Sequence, residues 1–275
     1  MGLYISYEGV MINIIISFIL LTTIIYGQWP ENPFENNIID ENAWHPQLCG
    51  DNNGGNFSTY VSNSYGYYPV VSVSHFDRFG NISWYSPIFN NNLPGDLHSP
   101  RITAVADNSA IVSYYEYTPV DSIGYDIVYN KSLKVQYINS TGELIWDIDG
   151  LYVENQYSNH GNYDITADGE GGIYILYTKY SGISQDSSNV YLQHMDSSGA
   201  QLLSNSGVLV QANGFAEKLL LNNSGQLIAY IRSIVDDELS NQIGVFKKIN
   251  ENGDIQWEST IDKPYVIELI PDNED

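Results

Sequence analysis

Three histidines could do chemistry together. His45, His98 and His160 each stand just ahead of a run of strand-forming residues. Imidazoles brought to one mouth can bind a metal or a ligand. The fourth comparable position is Gly214-Phe215, and a histidine kept in a repeated turn for local reasons is the competing explanation. Carboxylates gather in two tight runs, Asp147-Ile148-Asp149-Gly150 and Asp168-Gly169-Glu170-Gly171-Gly172. Ca²⁺ wants a shell of such oxygens, backbone carbonyls included. Neither run completes an Asp-x-Asp-x-Asp-Gly loop, and Asp with Gly is also what a tight turn needs. Ca²⁺ at Asp147, Asp149, Asp168 or Glu170 is the one cofactor expectation, and no other cofactor is predicted. The chain has no Gly-x-Ser-x-Gly, no His-Glu-x-x-His and no phosphate-cradling Gly loop. No catalytic residue is assigned from sequence.

The elements that must position these groups are repeats. Asx-x-x-Gly-x-x-x-Trp occurs at Asp77…Gly80…Trp84, Asn139…Gly142…Trp146, Asp196…Gly199…Leu203 and Asn250…Gly253…Trp257. A fixed-period echo is the sign of a repeat architecture. Asx bonds its own downstream backbone, and Gly takes the left-handed position of a hairpin corner. The Trp then lies on the returning strand, where its ring can staple one sheet to the next. A second corner precedes each of these, at Asp51, Asp107, Asp168 and Asn222. Two corners in near-constant register leave room for four short strands per repeat, the makings of a propeller blade. The expected fold is therefore all-β, a propeller-like array of four four-stranded repeats over 44–262, complete or not. A β-sandwich with coincidental turns is the alternative, but a sandwich has no reason to repeat.

Strands are expected from Gln47 to Phe89 in the first repeat, with Trp44 opening it, and at comparable places in the others. Leu144–Val153 reads as one continuous strand. Thr118–Asn130 reads as a long polar loop. Tyr265–Ile270 reads as the first strand of a further repeat or a closing strand, within 263–275 and its acidic tail.

Met11–Tyr26 is almost wholly apolar. It reads as the core of a secretory signal spanning 1–27, with 28–43 as a linker. No Lys or Arg precedes Arg78, so a retained membrane anchor is the alternative. No membrane insertion is expected once the signal is removed. Cys49 is the only cysteine, which excludes an intrachain disulfide framework.

Ten basic residues face 33 acidic ones, for a net charge of −23. Nucleic acids and anionic membranes call for a cationic footprint, so both are disfavoured as partners. A solubilising surface on an exported protein accounts for the acidity.

Segments such as ITADGEGGIYILYTKY and VYLQHMDSSGAQLLSNSGVLV resemble the blade repeats of exported Bacteroidota-type propeller proteins. Pro46, Leu48, Asp51, Gln136 and Gln193 fit the consensus of those repeats. The Asx-x-x-Gly-x-x-x-Trp corner is similar to the tryptophan-docking motif of quinoprotein-like propellers. Many enzymes of that kind carry a vicinal Cys pair; with one Cys, their activity is not carried over. The sialidase Asp-box is not matched, because the aromatic stands four residues after Gly.

The resemblance implies a secreted or cell-surface location. The functional expectation is a non-catalytic module that binds protein or glycan through loops such as Ser62–Pro69, Thr118–Asn130 and Ser181–Asn189. It rests on finding no repeat with a His/Asp/Glu cluster that the others lack. The alternative is a hydrolase or quinoprotein-like oxidoreductase working at a central channel.

Overall fold

The computed structural model describes residues 43–63, 69–89, 96–123, 126–154, 160–181, 187–235, 241–262 and 269. The signal 1–27, the linker 28–43 except Ala43, and the strand Tyr265–Ile270 except Leu269 lie outside the described residues. Among the described residues sixteen strands form four antiparallel sheets in chain order. The first holds β1 (Trp44–Gly50), β2 (Asn56–Ser62), β3 (Val70–Phe76) and β4 (Ile82–Ile88). The second holds β5 (Asp96–Val105), β6 (Ser109–Ile123), β7 (Asp126–Ile138) and β8 (Leu151–Tyr152). The third holds β9 (His160–Ala167), β10 (Ile173–Ser181), β11 (Ser187–Met195) and β12 (Val208–Gln211). The fourth holds β13 (Gly214–Leu221), β14 (Leu227–Ile234), β15 (Gln242–Ile249) and β16 (Ile255–Ile261). Successive sheets pack through their first strands, and among the described residues the four do not close into a ring. The fold is all-β and propeller-like.

Period-two patterning builds the stack. In β10, Ile173, Ile175 and Tyr177 enter the core between the second and third blades, while Tyr174 and Leu176 enter the core between the third and fourth. In β6, Ile111 and Tyr115 serve one junction and Ala110, Val112 and Tyr114 the other. A strand buried on both faces reads as a nearly unbroken apolar run, as YILY does. Each such side chain contributes about 1.5–3 kcal/mol.

The corners form as their residue types require. Oδ1 of Asp77, Asn139, Asp196 and Asn250 accepts the backbone N–H groups two and four residues on, at 2.8–3.1 Å. Trp84 Nε1 donates to Ser140 O at 3.0 Å, and Trp146 Nε1 to Ser197 O at 3.2 Å. Each Trp thus docks on the corner of the following blade. A Cβ on Gly142, whose φ is +87°, would come within 2.9 Å of the Trp84 ring, so this corner needs glycine twice over. At the third junction Leu203 takes the Trp place and packs against the apolar core there. Trp257, on the last strand, is 52% exposed.

Two expectations are corrected. Thr118–Asn130 is no loop: β6 and β7 continue through it as a paired hairpin to Ile123 and Asp126, carried by the β-branched and aromatic residues among its polar ones. Leu144–Val153 is not one strand. Leu144 bridges Ile138 of β7, then a turn closed by Gly150 N–H donating to Asp147 O at 2.7 Å interrupts, and strand pairing with β7 resumes at Leu151–Tyr152.

Candidate functional site

The four innermost strands share one irregularity. In β1, Trp44 and Gln47 face Val61 and Thr59 of β2, so one extra residue is inserted at His45-Pro46. In β5, His98 and Arg101 face Tyr115 and Ser113, with the insertion at Ser99-Pro100. In β9, His160 and Tyr163 face Lys179 and Tyr177, with the insertion at Gly161-Asn162. In β13 the extra residue is Glu217, between Ala216 and Lys218. Such bulges bend a strand and re-aim its side chains. Proline supports two of them, since it has no N–H to give the ladder. The residues before those prolines, His45 and Ser99, take left-handed φ values of 54° and 50°, which is strained backbone for either.

The bulges line one cavity of about 310 Å³. The first blade gives His45 and Gln47, the second Ser99, Pro100, Arg101, Tyr115 and Lys131, the third Asn162 and Tyr163, the fourth Ala216 and Glu217. This is the mouth of the space between the four inner strands.

Two tyrosines hold the centre of its wall. Their rings meet edge to face, centroids 4.9 Å apart at 82°. Tyr163 Oη donates to Ser99 O at 2.7 Å, with Ser113 O at 3.1 Å sharing that hydrogen. Tyr115 Oη donates to Gly161 O. Burial pushes both phenols well above their ordinary range, so they remain protonated donors.

Two cations rest on these rings. Lys131 Nζ lies 3.7 Å from the Tyr115 centroid and Arg101 Cζ 5.5 Å from that of Tyr163. Desolvation pulls the Lys131 amine down to about 8. Arg101 Nη1 also lies 3.3 Å from Asp164 Oδ1, and the other Asp164 oxygen accepts Leu219 N–H at 2.9 Å. Burial raises the Asp164 carboxyl above its ordinary value despite Arg101 and these hydrogen bonds. Glu217 Oε1 accepts from Arg232 Nε at 2.8 Å and from Asn162 Nδ2 at 3.4 Å.

Of the three histidines read from sequence, the structure brings only His45 to the mouth. His98 packs edge-on against Tyr117, centroids 5.1 Å apart. His160 is buried between blades. Its Nδ1 lies 3.2 Å from both Leu133 N and Lys131 O, and its Nε2 faces Glu154 Oε2 at 3.4 Å, with Lys179 on the other Glu154 oxygen. Asp168 is spent on its corner: Oδ1 accepts Glu170 N–H and Gly172 N–H at 2.7 and 2.8 Å, and Oδ2 meets His194 Nε2 at 2.9 Å. Asp147 Oδ1 accepts Asp149 N–H at 3.0 Å. Among the described residues no group of three or more His, Cys, Asp or Glu side chains converges as a metal site. The sequence reading missed Arg101, Lys131, Tyr115, Tyr163 and Glu217. The signal that could have found the place was proline at Pro46 and Pro100, the third residue of β1 and the fifth of β5, inside strands that otherwise read as regular.

No protein-family model matches the chain. No curated protein matches it either. Solved structures do. An ulvan lyase bound to -[GlcA(1-4)Rha3S]- superposes with a TM-score of 0.50 at 9% identity, over 86% of this chain and 61% of its own. An endo-arabinase from Bacteroides thetaiotaomicron gives 0.46 at 11% identity, over 82% and 81%. A glycosyl hydrolase from Bacteroides ovatus gives 0.45 at 10%, over 81% and 71%. The chain thus spans about three fifths of the lyase's length. The likeness to the lyase bears on fold alone.

The expectation of a non-catalytic module is corrected here. Its premise was that no repeat carries groups the others lack. At the mouth the blades are unlike: the second alone brings two cations, and the fourth alone a carboxylate. The solved structure that superposes at a TM-score of 0.50 carries the name of a glycan-cleaving enzyme.

Proposed function

We propose that the chain is a glycan-cleaving enzyme whose reaction takes place at the mouth between the four inner strands. The observation that carries this reading is the set of four bulges, one per blade, aimed at a single cavity and bearing non-equivalent polar groups. Repeats keep equivalent positions alike where only packing is at stake; a site that must bind and react breaks that symmetry. The cavity has the size of a small-molecule site. Aromatic rings with polar groups around them suit a sugar, which offers both apolar faces and hydroxyls. The likeness to an ulvan lyase supports a glycan as substrate. An extracellular place of work fits both that substrate and the apolar run Met11–Tyr26.

The test is depolymerisation of a panel of neutral and acidic polysaccharides, followed by size and by new reducing ends. Shortening of at least one polymer is expected. A full panel left intact by folded protein overturns the reading.

A further inference from the structure

We infer that the glycan is anionic, and that it is cleaved by β-elimination, with the Lys131 amine removing the proton next to a uronate carboxylate that the Arg101 guanidinium holds. The inference rests on the glycan-cleaving reading above and names its substrate class and reaction.

Charge is the first ground. The chain carries −23 overall and has only ten Lys and Arg. Two of those ten line the mouth, while among its lining residues Glu217 is the sole carboxylate. Glu217 is already engaged by Arg232 and Asn162. A neutral sugar gives a protein no reason to hold cations at this spot, whereas a carboxylate does. The overall charge repels a polyanion from afar. At physiological salt that field is screened beyond about 8 Å, so the contacts inside the mouth decide.

The form of the reaction is the second ground. Hydrolysis by paired carboxylates needs two of them across the scissile bond, and among the described residues the lining of the mouth holds one, Glu217. Elimination needs a base and a charge to steady the carboxylate as its α-carbon becomes anionic. The phenols of Tyr115 and Tyr163 donate to carbonyls and are poor bases. Lys131 stands otherwise. It lies on the Tyr115 ring with Tyr117 next to it, and among the described residues no carboxylate sits within ion-pair distance. The other charged or titratable groups around it are His45, Arg101 and Glu217 along the cavity, and His160, whose ring meets the Lys131 carbonyl. Its depressed amine is partly unprotonated at mildly alkaline pH. Arg101 meets Asp164 through Nη1 and keeps 31% of its side chain exposed at the mouth, where it can meet a ligand.

The step balances. The C5–H bond breaks and its proton goes to Lys131 Nζ. The electron pair forms the C4=C5 double bond, and the C4–O4 bond breaks. The proton returns to the departing oxygen, directly or through water, so nothing but the polymer is consumed.

The experiment incubates the chain with polygalacturonate, alginate, hyaluronan and glucuronan, beside arabinan, xylan and laminarin, and follows ultraviolet absorbance of the unsaturated uronate together with reducing ends. Cleavage of an acidic polymer with both signals is expected, with kcat rising through about pH 8. Lys131→Arg keeps the charge on Tyr115 but cannot give up its proton. It should lower kcat about a hundredfold or more with KM little changed, and lose the alkaline rise. Arg101→Gln should raise KM for the acidic polymer. Thermal melts confirm that both variants fold. Reducing ends without the unsaturated product, cleavage of neutral polymers alone, or a Lys131→Arg enzyme with an unaltered pH profile would overturn this inference and leave the glycan-cleaving reading standing. No cleavage of any polymer would overturn both.

Discussion

Tyr115 and Tyr163 cap each other's bulges. Tyr115, on the second blade, donates to Gly161 O in the bulge of the third; Tyr163, on the third, donates to Ser99 O in the bulge of the second. Each hydroxyl thus satisfies a carbonyl that the extra residue takes out of the ladder. The exchange fixes two walls of the mouth against one another.

Tyr115→Phe should therefore destabilise the fold by about 1–3 kcal/mol, the cost of leaving a buried acceptor unpaired. The ring that carries Lys131 survives the change. A denaturant melt measures the cost, and an unchanged midpoint would show that Gly161 O has another donor.

The Trp corners divide by their neighbours. Trp146 is 8% exposed and docks on Ser197 O, whereas Trp257 is 52% exposed. Trp146→Ala should cost about 3–5 kcal/mol, and Trp146→Leu visibly less, since Leu203 fills the same place at the next junction. Trp257→Ala should stay within about 0.5 kcal/mol. Equal shifts for Trp146→Ala and Trp257→Ala would mean that docking does not set the stability of the array.

The blades were legible because their signals are local. Asp77 to Gly80 states a corner in four residues, and Ile173 to Tyr177 states a strand buried on both sides. Leu144–Val153 misled because hydrophobic pattern outweighed turn chemistry: Asp147 and Gly150 close a turn in mid-run. Thr118–Asn130 misled the other way, since Pro119, Asp121 and Gly124 look like loop while the backbone pairs on both sides of them. The mouth was hidden for a different reason. It takes two to five residues from each blade, distant in sequence and chemically unlike, so no spacing rule gathers Lys131 with Arg101 and Glu217. The recurring histidines drew the reading instead, though His98 and His160 serve packing and His160 holds Glu154.

The last prediction concerns acid. Asp51 Oδ1 accepts Asn53 N–H and Gly55 N–H at 2.7 and 2.8 Å, and His75 Nε2 donates to Oδ2 at 2.9 Å. Burial alone would raise the Asp51 carboxyl. The bond from His75 and the two backbone N–H groups outweigh it and hold the group below its ordinary value. A carboxylate depressed in the folded state binds its proton more readily once unfolded. Its stabilisation is therefore present above the unfolded value of about 4 and is lost as pH falls through the lower folded value. The effect reaches beyond the corner, because the His75 ring stacks on Trp84, centroids 5.7 Å apart, and Trp84 docks on Ser140. Asp51→Asn keeps the Oδ1 acceptor but gives up the charge facing His75. The variant should be less stable than the parent near neutral pH, and the gap should narrow as pH falls below about 4. Denaturant midpoints of both proteins across that range measure it. A gap that stays constant into acid would show that the charge on Asp51 does not stabilise the first blade.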